Sequence, residues 1–194
     1  MNPTRIKAAE NLAEELNRVV NSVEINQTDR NRAVAASQGI AQDHLYAITL
    51  LMKNTLYSSS FALLRCLFEA YYRGLWLHYC ATDAEVSEFL GGAEPPKNII
   101  ARIEATPEFQ SGVLSQVKRQ GWKAMCAYTH TGGLHLQRWQ SADAVEPSFE
   151  DAELEECLNF AELFGAMAAL EVAGLHIGGG KATAVSTLIK ARWP

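Results

Sequence analysis

From about residue 58 to 80 apolar side chains occupy nearly every side of a helix: Leu63, Leu64, Leu67, Phe68, Tyr71, Tyr72, Leu75, Trp76, Leu77 and Tyr79. A helix that is apolar all round is stable only when other elements surround it, so this segment belongs at the centre of a bundle. Arg65, Glu69 and Arg73 lie within it, and each would be expensive at the middle of a bilayer. The second strongly apolar stretch, 160–174, carries Glu162 and Glu171. Both stretches therefore read as core helices, and no membrane association is expected.

The rest of the chain supplies the surrounding helices. Residues 3–23 place Ile6, Ala9, Leu12, Leu16 and Val20 at three- and four-residue spacings with acids and amides between them, the pattern of an amphipathic helix. A second helix is expected from Thr28 or Asp29 to about Asn54, loosened at Gly39. Thr82 and Glu85 form a capping-box pair before a short helix that Gly91-Gly92 ends. Short helices are expected over 97–105 and from Pro107, with Thr106 as its N-cap. Another, from about Val113 or Trp122, should run into Tyr128-Thr129-His130 and break at Gly132-Gly133. Ser148 and Asp151 suggest the cap of a long helix that Gly178-Gly179-Gly180 stops, and Val185, Leu188 and Ile189 mark a last short one. No run alternates with period two, and no unit of 20–50 residues repeats. The reading is all-α: an irregular helical bundle of about six to eight helices, folded as a single domain over residues 1–194.

Composition narrows the function classes. With 48% hydrophobic and 20% charged residues, the chain has enough apolar surface for one ordinary core. Its net charge of −5 lacks the positive field of a non-specific DNA binder, although a local basic cleft is compatible with it. Cys66, Cys80, Cys126 and Cys157 form no CxxC pair and read as buried thiols of a reducing compartment. The N-terminus leads directly into a charged helix without an apolar leader, so a cytoplasmic location is expected.

Two constellations could carry chemistry. Arg65, Glu69 and Arg73 stand at i, i+4 and i+8, within about 80° of one another on a helix. Buried charges are costly unless paired, so this stripe is either an ion-pair ladder or the wall of a wet cleft whose arginines hold an anion. The second is Tyr128, His130, Thr131 and His135 around the Gly132-Gly133 bend. There a histidine could act as general acid or base near neutral pH, with Tyr128 or Thr131 orienting it or a ligand. His130 and His135 lack the register of a metal pair, and no Glu-x-x-His motif occurs, so neither metal nor cofactor is expected. Gly178-Gly179-Gly180-Lys181 departs from a phosphate loop at Leu175 and Ala182. His44, beside Asp43, reads as a core histidine.

The run from Leu63 to Leu77, LLRCLFEAYYRGLWL, followed at a distance by Tyr128-Thr129-His130-Thr131-Gly132, resembles a bacterial helical family of unknown function over about residues 58–140. Related helical families include abortive-infection proteins and, more remotely, the HEPN superfamily, whose active members are metal-independent ribonucleases acting as dimers. That resemblance implies a phage-defence or toxin-type protein, a homodimer, and RNA as substrate. The HEPN spacing of Arg followed by His is met by Arg73 and His78, which point about 140° apart on a helix. The pairing expected instead sets His130 beside the stripe, taking a 2′-hydroxyl proton while an arginine stabilises the phosphorane. The alternative is a non-enzymatic module that recognises an anionic small molecule or a partner protein.

Overall fold

A computed structural model describes residues 2–193. Among these, nine α-helices and one 3₁₀ turn follow in order: α1 (Pro3–Val20), α2 (Asp29–Lys53), α3 (Tyr57–Tyr79), α4 (Asp83–Leu90), α5 (Ile99–Glu104), the turn Pro107–Phe109, α6 (Val113–Thr129), α7 (Gly133–Gln137), α8 (Asp151–Gly174) and α9 (Lys181–Arg192). The helix count exceeds the expected six to eight because the bend after His130 restarts as the separate five-residue α7. No strand forms among the described residues; Ile25 and His176 make an isolated antiparallel bridge.

Local signals explain most boundaries. The Thr28 side chain accepts from Asn31 N–H to start α2, and Thr82 with Glu85 forms a complete capping box on α4. Gly39 leaves α2 unbroken. The start of α8 corrects the sequence reading: its reciprocal cap is made by Glu150 and Glu153, not by Ser148 and Asp151. A carboxylate at this position satisfies the same free N–H groups that a hydroxyl would and adds negative charge where the helix dipole favours it. The end of α8 also comes earlier than the glycine run, at Gly174, and the chain then pairs with residue 25 before α9 begins.

α3 is central as expected, and it shares the centre with α2 and α8; α1 and α9 cover one flank, and α6 lies along α3 on another. The approach of α8 to α2 depends on a missing side chain. A Cβ on Gly165 would stand 2.5 Å from Leu45 Cδ2 and 2.8 Å from Leu45 Cβ, and the buried Gln42 side chain donates to the Gly165 carbonyl. On the inner side of α3, Phe68 is fully buried and meets Tyr72, Phe160 and Phe164 at centroid distances of 5.2, 6.1 and 5.1 Å. Such edge-to-face stacks add to the area they bury. They fix the rotation of α3 about its axis and so decide which face carries the charged stripe. α8 is long and apolar enough to cross a membrane by length and composition, but 61% of its apolar window is buried inside the bundle.

Candidate functional site

The stripe on α3 is a ladder joined through one carboxylate. Glu69 Oε1 accepts from Arg65 Nε and Nη2 at 3.2 and 3.1 Å, and Oε2 lies 3.6 Å from Arg73 Nη2. The three side chains retain 24%, 19% and 33% of their exposure in the order Arg65, Glu69, Arg73. The ladder is thus partly exposed. Burial works against the Arg65 charge, but Glu69 outweighs it and holds the guanidinium above its ordinary pKa.

His130 comes to this ladder from the end of α6, which lies along α3. It caps the C-terminal end of α6, with its N–H donating to the Cys126 carbonyl, and the following Thr131 turns the chain with a left-handed φ of 54°. That conformation is uncommon for a β-branched residue. The turn leaves the His130 ring exposed, with Nε2 2.6 Å from Arg65 Nη1. Arginine can only donate, so Nε2 serves as the acceptor in this contact.

Two turns back along α6, Trp122 lies under the Arg65 guanidinium at 4.9 Å from ring centroid to Cζ, and Lys118 Nζ stands 4.9 Å from the same centroid. Trp122 and Lys118 also line an open cleft of about 380 Å³ with Lys97, Asn98 and Arg119, between the start of α5 and α6. Lys97, Lys118 and Arg119 enter no ion pair among the described residues. An acidic molecule therefore gathers Arg65, Lys118, Arg119 and Lys97 about Trp122, with His130 in contact with Arg65. Sequence reasoning missed Lys118, Arg119 and Trp122. Their signal was present in the i, i+4 spacing of Lys118 and Trp122, which puts cation and ring on one face.

The other residues of the bend sit elsewhere. Tyr128 precedes His130 by two positions, about 200° around the helix, and lines a separate cavity of about 310 Å³ between α3, α6 and α8 with Phe61, Arg138 and Glu153. Burial pushes its hydroxyl pKa up. His135 packs against the Tyr128 ring at 5.3 Å with both ring nitrogens buried and unpartnered. Neither joins Arg65. His78 is also apart from Arg73: its Nδ1 lies 3.1 Å from Glu171 Oε2, to which Tyr79 also donates. No group of three or more His, Cys, Asp or Glu that could hold a metal ion occurs among the described residues. All four cysteines are free; only Cys157 is fully buried, and burial pushes its thiol pKa up.

No curated protein and no solved structure matches the chain. One family model does, over residues 38–191, from within α2 to the last turn of α9, so that both the α3 ladder and the His130 bend fall inside it while α1 lies outside. The chain belongs to that family, described as a family of unknown function (DUF6988).

Proposed function

We propose that the α3–α6 surface recognises a phosphate-bearing anion. The observation that carries this is the 2.6 Å contact of Arg65 with His130 at the edge of a surface where Lys97, Lys118 and Arg119 have no acidic partner. A phosphate oxygen accepts from Arg65 more strongly than a neutral imidazole does, because both partners are then charged. Displacing His130 Nε2 from Arg65 leaves the imidazole beside the anion, ready to take a proton and become a second donor. Trp122, with Arg65 and Lys118 each 4.9 Å from its ring centroid, gathers these cations at the same surface.

Two probes separate a small phosphoanion from a nucleic acid: inorganic pyrophosphate by calorimetry and a labelled single-stranded RNA by fluorescence anisotropy. Either should bind wild type, and Arg65→Gln should weaken binding about tenfold or more through loss of charge-assisted hydrogen bonds. Binding of RNA as well, with affinity falling steeply as salt rises, identifies the nucleic acid as ligand. No binding of either probe overturns the proposal.

A second reading, metal-independent RNA cleavage, is favoured by the contact of His130 Nε2 with Arg65. With its ring exposed, His130 is the candidate base. It would take the 2′-hydroxyl proton as that oxygen attacks phosphorus, Arg65 would stabilise the phosphorane charge, and the 5′-oxygen would leave with a proton from solvent. This reading brings with it the phage-defence or toxin-type role and the homodimer that the resemblance implies. Cleavage of RNA in chelator by wild type but not by His130→Ala would support it, whereas uncut RNA leaves recognition without chemistry.

A further inference from the structure

The far end of the ladder faces a different environment. Arg73 and Glu69 line a cavity of about 390 Å³ between α2, α3 and α4 whose walls are mainly apolar, with Ala36, Ile40, Phe89 and Leu90 opposite the charged pair. Ile40 and Leu90 stand at its rim with 51% and 55% of their surface exposed, a poor arrangement for large apolar side chains unless something covers them. Size and lining match a small-molecule site: mostly apolar, with a few placed polar groups.

Arg73 is incompletely used. Its Nε is buried without a hydrogen-bond partner, its guanidinium otherwise meets the neighbouring Tyr72 hydroxyl, and its nearest acid, Glu69, is 3.6 Å away with the other carboxylate oxygen committed to Arg65. Buried charged donors are costly to leave unmet. The ladder Arg65, Glu69, Arg73 carries two positive charges and one negative, so a single monoanion beside Arg73 completes its neutralisation. A dianion would meet Glu69 at close range and find apolar walls around its second charge. Ser37, also in the cavity, already donates to the Ala70 carbonyl at 2.9 Å. His44, on the α2 wall, is held below its ordinary pKa by burial, partly offset by Asp43, and adds no positive charge near neutral pH.

We infer that the α2–α3–α4 cavity binds a small apolar carboxylate, its carboxyl group held by Arg73 and its hydrocarbon body covered by Ile40, Phe89 and Leu90. The carboxylate takes the fork-to-fork geometry that Glu69 at 3.6 Å does not reach. This site is distinct from the phosphate surface, which lies toward α6 beyond Arg65.

Calorimetry with octanoate, and with 1-octanol as the neutral chain of equal length, tests the inference. Octanoate should bind one per protein at about millimolar or better affinity, and octanol at least tenfold more weakly. Arg73→Gln should lose most octanoate affinity, and Ala36→Trp, which fills the cavity at an exposed position, should abolish it; both should keep the helical circular dichroism of wild type. Three outcomes would each overturn it: no saturable octanoate binding to the wild type, equal binding of octanol and octanoate, or unchanged octanoate affinity in the folded Ala36→Trp protein.

Discussion

Glu162→Ala is expected to destabilise the protein by about 3–5 kcal/mol, the cost of removing one partner from a buried ion pair. Glu162 lies on α8 with none of its surface exposed. Its two oxygens accept from Arg5 Nη1 and Nη2 at 2.8 and 2.9 Å and from Arg192 Nη2 at 2.9 Å. The carboxylate therefore fastens the first and last helices to the core helix, with Glu155 and Asn159 completing the Arg5 fork. Without it, Arg192 loses its carboxylate and Arg5 keeps only Glu155 and Asn159, with two like charges close together in a partly desolvated space. Urea unfolding measures the loss. The triple replacement Arg5→Met, Glu162→Leu, Arg192→Met should cost less than Glu162→Ala alone, because it removes the charges together rather than stranding two. If the triple variant is the less stable, the network is worth more than its desolvation penalty.

The second large effect is expected at Phe68, where Phe68→Ala should cost about 3–5 kcal/mol through lost burial and the cavity left behind. Its ring stacks against α8 through Phe160 and Phe164 and against Tyr72 on its own helix. Phe68 and Glu69 are neighbours pointing about 100° apart, so the inner anchor fixes where the ladder emerges. Phe68→Leu, which keeps most of the volume, should lose much less in thermal or urea unfolding. A loss for Phe68→Leu equal to that for Phe68→Ala would mean that ring stacking, rather than filled volume, holds α3.

The helices were legible in the sequence wherever one element dictates its own form. The all-round apolarity of residues 58–80 announced a central helix, and the Thr82–Glu85 pair announced the start of α4. The Arg65, Glu69, Arg73 stripe followed from i, i+4 spacing alone. The ends of α8 were not legible: it starts at Asp151 behind a cap in which Glu150 and Glu153 each accept a backbone N–H, two acids where a hydroxyl was expected, and it ends at Gly174, before the segment that pairs with residue 25. Half of the site was legible in the same sense. His130 was singled out with Tyr128, Thr131 and His135, yet only placement of α6 against α3 shows that His130 meets Arg65 while Tyr128 and His135 turn into another cavity. The approach of Arg65 to Trp122 and the apolar cavity beside Arg73 arise from elements distant in the chain. Only the Lys118–Trp122 pairing on α6 has a local pattern behind it.

The phosphate surface is tested most directly by the histidine ring signals in a two-bond ¹H–¹⁵N spectrum as inorganic pyrophosphate is added. His130, assigned through His130→Gln, should shift saturably below about 10 mM, the unpartnered ring of His135 in its separate cavity should stay still, and Arg65→Gln should abolish the shift. A His130 signal that does not move, or that moves equally without Arg65, would contradict anion recognition at this surface.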